Sequence, residues 1–230
     1  PQPASRFGRE ARDIMKLLIT AGPTREPIDA VRFLSNRSSG KLGLGLARAA
    51  YAAGHEVTLL LGPVCRPLDL PDAVGVVDFS STADLEAALD RHFDRCDGLV
   101  MAAAVADYRP AAVIEGKTPR STDPQDAMTL RLEPTPDLVA GLAARKREDQ
   151  LVIAFALEED AKLQTRAVEK MRRKRVDAVL GNPLSSMEGD TIEPTLFQHS
   201  GQSHRPGIML KSDFAPWLIE RIEAMRAAVV

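Results

Sequence analysis

The segment K16-LLITAGPTREPIDAVRFLSNRSSGKLG-43 decides the fold class, because a short apolar run leads through a long polar loop into a helical pattern. Residues 16–20 have the composition of a buried strand. Residues 41–53 carry apolar side chains at helical spacing, and Gly54 follows in the usual position just past a helix end. Residues 56–61 are rich in Val, Thr and Leu and predict the next strand. The opening is therefore a β–loop–α–β unit.

The same alternation continues along the rest of the chain. Further strands are predicted at 74–79, 98–104, 128–132, 151–155 and 177–180, and further helices at 82–95, 135–145, 160–175 and 212–229. Thr135 is the expected N-cap of the helix at 135–145, and Pro136 its first residue. Residues 195–199 and 207–210 resemble a late hairpin. These elements predict an α/β, Rossmann-like fold: a mostly parallel sheet with helices on both faces and a late antiparallel hairpin.

The amino-acid composition disfavours several classes of protein. The 230 residues include 32 acidic and 30 basic side chains, which disfavours a basic nucleic-acid binder. A leader at 1–14, expected to be disordered, precedes a single domain at 15–230. The sequence contains no apolar run that predicts a membrane span, and its two cysteines fit a cytoplasmic protein. The histidines are scattered, so no metal site built from side chains is expected.

A doubly wound sheet binds ligands outside the carboxyl ends of its strands. The first loop follows such a strand end and is therefore a candidate ligand-binding loop. Gly40, Gly43 and Gly45 lie where the chain enters the helix. Their G-x-x-G-x-G spacing matches neither the dinucleotide fingerprint nor the P-loop. The glycines could let the backbone approach phosphate, or only let the helix pack on the sheet. The length of the loop favours a ligand.

Two stretches carry a family resemblance. ITAGPTREPIDAVRFLSNRSSGKLG at 19–43 and AAAVADYRP at 102–110 resemble the two signatures of phosphopantothenoylcysteine synthetase, or phosphopantothenate–cysteine ligase. PDLVAG at 136–141, Phe155, the pair Lys170 and Lys174, and DAVLGN ending at Asn182 recur in that family's order. The resemblance extends over residues 16–182.

The resemblance implies a ligase of coenzyme A biosynthesis. CTP converts the carboxylate of 4′-phosphopantothenate to an acyl-cytidylate and releases pyrophosphate, and the amine of L-cysteine then displaces the nucleotide. Mg²⁺ would be bound through the triphosphate, since the anionic reactants repel each other. Many relatives carry a flavin-dependent decarboxylase in front of this module, so at 230 residues we expect a stand-alone form without FMN.

The resemblance also implies site residues. Asn36 would donate a hydrogen bond to the reacting carboxyl group, and Lys117, on a flap at 112–127, would neutralise phosphate charge. Arg32 would reach the substrate phosphate in the neighbouring subunit of a homodimer. Asn36, Ala103, Ala104 and Asp107 would contact the substrate. The nucleotide contacts would be Gly22, Ser38, Gly40, Gly43, Asp107, Lys117, Pro136, Asp137, Leu138, Val139, Phe155, Lys170, Lys174 and Asn182.

Two departures leave alternatives open. The flap reads K117-T-P-R120 where the family commonly has K-I-K-K, and T135-P-D replaces N-P-D before the base-binding helix. The choice between CTP and ATP as the nucleotide therefore stays open. A non-catalytic, nucleotide-binding relative of the family also remains an alternative. An NADPH-dependent reductase is disfavoured because neither Tyr51 nor Tyr108 is followed four residues later by lysine.

Overall fold

The computed structural model describes residues 13–65, 69–120, 122–123, 127–186 and 189–229. Most of the expected leader at 1–14, and part of the expected flap at 112–127, lie outside these residues. The strands are β1 (Lys16–Ala21), β2 (Arg25–Pro27), β3 (Phe33–Ser35), β4 (Glu56–Leu61), β5 (Gly75–Asp78), β6 (Gly98–Met101), β7 (Tyr108–Pro110), β8 (Leu132–Pro134), β9 (Leu151–Glu158), β10 (Ala178–Pro183), β11 (Thr191–Ile192), β12 (Thr195–Gln198), β13 (Ser203–His204) and β14 (Met209–Leu210). The α-helices are α1 (Lys41–Ala52), α2 (Thr82–His92), α3 (Leu138–Ala144), α4 (Asp160–Lys174) and α5 (Lys211–Ala227).

The main sheet has the order β13-β12-β10-β9-β6-β1-β4-β5. Its pairs from β5 to β10 are parallel, and β12 and β13 add an antiparallel edge. The chain runs outward from β1 to β4 and β5, then returns to place β6 on the other side of β1. This reversal is a topological switch point, where open α/β sheets bind ligands.

Alternation along β1 feeds two cores. Leu17 and Ile19 face α1 and α5, while Leu18 faces α2, α3 and α4. Helices thus cover both faces, as predicted. Helix α1 lies very close to β1: a Cβ on Gly43 would stand only 2.5 Å from the Cβ of Ala21. No helix among the described residues is long and apolar enough to cross a membrane.

Three local predictions were wrong. Of the strand expected at 128–132, only Leu132 is in a strand; it begins β8, which pairs with β7 in an antiparallel ribbon outside the main sheet. The helix expected at 135–145 begins at Leu138, with Asp137 as its N-cap. Thr135 does not cap it, because its hydroxyl donates to the carbonyl of Ala106 at 2.5 Å.

The late hairpin was placed correctly but paired incorrectly. β12 pairs with β13, while β14 pairs with β11, so residues 195–199 and 207–210 are not partners. The polar first loop also contains structure that the sequence did not reveal, since β2 and β3 form a short hairpin within it.

Candidate functional site

The two signature stretches meet at the switch point. Ala104 lies just after β6 and Gly22 just after β1, and the Ala104 N–H donates to the Gly22 carbonyl at 2.9 Å. The Thr24 N–H donates to the Ala104 carbonyl at 3.2 Å. Parallel pairing therefore continues past the strand ends, and the two stretches form one edge.

Asn36 joins this edge from the hairpin. It directly follows β3, and its Nδ2 donates to the Ala104 carbonyl at 3.1 Å, across 68 positions of sequence. The side chain therefore does not cap its own loop, which was the ordinary structural alternative. Asn36 is exposed, so its amide lies beside the Ala104 carbonyl with an open side toward solvent.

Buried hydroxyls support the edge from below. The Oγ1 of Thr20 accepts from the Ala103 N–H at 2.9 Å, and the Oγ1 of Thr24 accepts from the Ala106 N–H at 3.0 Å. Both threonines are fully buried. These threonines were not identified from the sequence. The pattern T20-A-G-P-T24, in which they lie on either side of Gly22, could have indicated them.

A buried carboxylate anchors the hairpin to the scaffold. Glu26 is buried, and its Oε1 accepts from the N–H of Thr82 at 2.9 Å and from its hydroxyl at 2.7 Å. Thr82 is the first residue of α2, where backbone N–H groups lack helical partners. Glu26 therefore fixes the hairpin that carries Asn36.

The start of α1 supplies a backbone cradle. Gly40 precedes the helix with φ 69°, and a Cβ there would stand 3.4 Å from the nitrogen of Gly22, which itself has φ 83°. The Oγ of Ser38 accepts from the Gly40 N–H at 3.3 Å. Gly22, Ser38 and Gly40 therefore come together. Gly43 faces the sheet instead, so its closest contacts explain it as a packing glycine.

A second group of predicted residues gathers where α3 and α4 meet β9. The Nζ of Lys170 donates to the Phe155 carbonyl at 2.5 Å. The Nζ of Lys174 lies 2.8 Å from Oδ1 of Asp137, which also accepts from the Ala140 N–H. The predicted base-binding turn at 136–139 is thus tied to Lys174, while Lys170 is tied to β9.

Electrostatics at this group favour an anion. Burial, reinforced by the neighbouring charge of Lys174, lowers the pKa of Lys170 to about 8, against opposing attraction from Asp137, Glu158 and Asp107. Partial burial alone would raise the pKa of Asp137, but the bonds from Lys174 and Ala140 outweigh it and lower that pKa. The influence of Asp107 on Lys170 connects this group to the end of β6.

Asn182 is buried on β10, and its Oδ1 has no hydrogen-bond partner in the part of the chain that the structure describes. It lies two residues beyond Leu180, so it faces the same side of the sheet, where Phe155 also packs. Buried polar atoms are nearly always paired, so an unpaired one needs an explanation. A ligand beyond the strand ends would supply one.

Lys117 and Arg32 lie on the hairpin side. Lys117 is exposed and has no hydrogen bond or ion pair with the described residues. Arg32 is half-exposed and binds within its own chain, to Asp29 and to the carbonyl of Thr118. Of the described residues, no three His, Cys, Asp or Glu side chains form a group able to hold a metal ion.

Comparisons with known proteins agree with this geometry. The family described as DNA/pantothenate metabolism flavoprotein C-terminal domain matches residues 13–225. The coenzyme A biosynthesis bifunctional protein CoaBC of Escherichia coli (strain K12) is 40% identical over 196 residues, which are 84% of this chain and 48% of that protein. A protein of an unknown prokaryotic organism named Cysteine/Cysteine sulfinic acid decarboxylase is 38% identical over 211 residues, 90% of this chain and 57% of its own length.

The chain spans about half the length of these curated relatives. Among solved structures, it is similar to the crystal structure of the C-terminal domain of CoaBC, with a TM-score of 0.77 and 33% identity. That match covers 91% of this chain and 94% of the other, and it confirms the predicted fold class.

Proposed function

Because this chain belongs to the DNA/pantothenate metabolism flavoprotein C-terminal domain family, we propose that it ligates 4′-phosphopantothenate to L-cysteine at the expense of a nucleoside triphosphate. The observation that carries the proposal is the bond from Asn36 to Ala104 at the switch point. It unites both signature stretches at the edge of the sheet where ligands bind.

The first chemical step forms an acyl-nucleotide. A carboxylate oxygen of phosphopantothenate attacks the α-phosphorus of the triphosphate, and pyrophosphate leaves with the electron pair of the broken P–O bond. In this proposal the Asn36 amide donates to the reacting carboxyl group without adding negative charge. Lys170 and Lys174 face the triphosphate in this proposal, and Lys117 adds positive charge from the flap.

The second step forms the amide. The cysteine amine attacks the acyl carbon, the nucleoside monophosphate leaves, and the amine releases a proton. The oxyanion that forms on the acyl group needs a donor, for which the Asn36 amide is suited. Neither step oxidises or reduces a reactant, so the proposed reaction needs no flavin. Exclusion of water by the flap would protect the acyl-nucleotide from hydrolysis.

We propose that Mg²⁺ enters bound to the triphosphate. The ion usually takes one or two carboxylates together with substrate phosphates. The exposed carboxylate of Asp107, within electrostatic range of Lys170, is the kind of ligand that fits this pattern. The ion would offset the repulsion between the two anionic reactants.

CTP is our proposed nucleotide, with the turn at 136–139 holding the base through backbone groups. What supports this site for the base is the pair Asp137 and Lys174, which places the turn beside the lysines. ATP is the alternative, since T135-P-D departs from the family pattern.

A homodimer completes the proposal, with the protein acting in the cytoplasm. Large apolar side chains are exposed on the hairpin β2–β3 and the neighbouring ribbon β7–β8, namely Val31, Phe33, Tyr108 and Leu132. Val31 and Phe33 flank Arg32 in the sequence, and a second copy of the chain would cover the exposed apolar side chains. Light scattering should report twice the chain mass, and a fully active monomer would contradict this part.

Pyrophosphate release tests the function. Purified protein with Mg²⁺ is incubated with CTP or ATP, with and without phosphopantothenate, and cysteine is then added. We expect release only when phosphopantothenate is present, faster with CTP, and the cysteine conjugate by mass spectrometry. Nucleotide binding without pyrophosphate release would favour a non-catalytic relative, and NADPH oxidation would favour a reductase.

A further inference from the structure

A single buried carboxylate joins the hairpin to the flap. The Asp29 side chain is fully buried, and its Oδ1 accepts from the backbone N–H groups of Val31 and Arg32 at 2.9 and 2.8 Å. Its Oδ2 accepts from Nε and Nη2 of Arg32 at 3.0 and 2.5 Å, and from the Thr118 N–H at 3.2 Å. Five donors therefore converge on one carboxylate, and one of them belongs to the flap.

Backbone bonds extend this junction. The Ile114 N–H donates to the Ile28 carbonyl, and the Ala30 N–H donates to the Gly116 carbonyl, each at 2.9 Å. Arg32 adds a bond from Nη2 to the Thr118 carbonyl at 3.0 Å. Residues 114–118 are thus docked along residues 28–32. We call the group Asp29, Arg32 and Thr118 the clasp.

The clasp depends on a negative charge. The hydrogen bonds from Arg32, with those from the backbone around it, hold the pKa of Asp29 well below its usual range. A buried carboxylate is stable only while such donors surround it. A neutral side chain of the same shape accepts fewer and weaker bonds, so the flap end of the clasp would loosen first.

The position of the clasp gives it a function. Thr118 directly follows Lys117, and Arg32 directly precedes β3, which leads into Asn36. We propose that Asp29 is a positioning residue, which holds the flap lysine and the Asn36 hairpin in one fixed arrangement. This inference rests on the proposed function, because it acts through residues assigned there.

Arg32 can serve the clasp and a ligand at once. Its Nε and Nη2 edge is occupied by Asp29 and Thr118, while Nη1 makes no hydrogen bond with the described residues. A substrate phosphate could take this free nitrogen without breaking the clasp. Phosphate binding and flap docking would then reinforce each other through the same guanidinium.

The test compares Asp29→Asn with Glu133→Gln. Glu133 pairs with Arg109 on the ribbon, near the flap but outside the clasp. We expect Asp29→Asn to lower kcat about tenfold to a hundredfold, with KM for CTP changed less than about twofold. Amide exchange at Ile114 and Thr118 should accelerate at least about tenfold, because their hydrogen bonds open more often. The Glu133→Gln control should match the wild type in both readouts.

A double-variant cycle separates positioning from simple damage. If Asp29 acts through Lys117, then adding Asp29→Asn to Lys117→Gln should reduce kcat little further, since effects through one group are not additive. Independent multiplication of the two losses would overturn the proposal, as would unchanged exchange at Thr118. Should Asp29→Asn fail to fold, Thr118→Pro removes the N–H donor on the flap, and it must give the same loss of kcat and the same faster exchange at Ile114.

The two proposals fail differently. If wild-type protein releases no pyrophosphate with phosphopantothenate, the ligase assignment is wrong, and exchange at Thr118 in Asp29→Asn still decides whether the clasp exists. If ligation is normal but Asp29→Asn is fully active, the positioning role is wrong and the ligase assignment stands.

Discussion

Two regions of the site, here called the scaffold wall and the lysine wall, differ in whether their polar groups are satisfied by the protein itself. The scaffold wall comprises the ends of β1 and β6 with Asn36, and there the Thr20 and Thr24 hydroxyls each accept a backbone N–H. The lysine wall comprises the start of α3 with Lys170 and Lys174, and there a desolvated ammonium adjoins another cation. The first wall is satisfied by its own chain, whereas the second retains electrostatic strain that an anionic ligand would relieve.

The largest effect should follow from Asn36→Asp on the scaffold wall. The change replaces an amide donor with a carboxylate where negative charge develops. Loss of one such donor typically lowers kcat about 10²–10³-fold, equivalent to about 2.7–4 kcal/mol. Single-turnover kinetics with CTP should show the loss in the chemical steps, with the melting temperature little changed because Asn36 is exposed.

Normal ligation by Asn36→Asp would remove the amide from the mechanism and reduce the bond to Ala104 to a structural role. Asn36→Gln keeps the amide but displaces it, and it should recover little activity. A full recovery would show that the exact reach of the amide does not matter.

On the lysine wall, Lys170→Met should weaken nucleotide use by about tenfold to a hundredfold in kcat/KM at neutral pH, as charge-assisted bonds are worth about 1.5–3 kcal/mol. The wild type should show a related pH dependence. With a pKa of about 8, Lys170 loses its proton as pH rises from 7 to 9, so kcat/KM for the nucleotide should fall over that interval.

Lys170→Arg is the matched control, because a guanidinium stays charged over this range. Its profile should remain level where the wild type declines. A wild-type profile that stays flat to pH 9 would contradict a role for the Lys170 charge in the free enzyme.

Sequence predicted much of the fold because its signals are local. The apolar run at 16–20 and the helical spacing at 41–53 each agree with an observed element, β1 and α1. The predictions failed where tertiary contacts competed with these local preferences. Thr135 is a good N-cap by residue type, but its hydroxyl is bound to Ala106, and Asp137 caps instead.

The site divides in the same way. Asn36, Gly40 and Lys170 were found by resemblance, since they lie in recognisable motifs. Asp29 was part of the quoted motif, yet its five donors come partly from a segment 89 positions away. Such convergence has no signature in a single sequence, because pairing of distant residues is settled only by the folded chain.

Thr24→Val should test how far the scaffold wall depends on its buried hydroxyls. Valine has the same shape but leaves the Ala106 N–H without its acceptor, a loss of about 1–3 kcal/mol. For a chain of this size that corresponds to a fall of roughly 2–4 °C in melting temperature per kcal/mol. Thr165→Val, at an exposed position of α4, should leave the melting temperature within about 1 °C of the wild type.

The smallest effect should have the opposite sign. Asn182→Leu, on β10 at the sheet face that packs on α1 and α5, removes a buried Oδ1 with no hydrogen-bond partner among the described residues, so the free protein should become more stable, by about 1 kcal/mol. The variant should also gain less stability from added CTP than the wild type does, because the ligand loses the amide contact. Calorimetric melting with and without nucleotide measures both quantities. A variant that melts lower without ligand, as Thr24→Val should, would show that the Asn182 side chain, like those of the scaffold wall, is satisfied by its own chain.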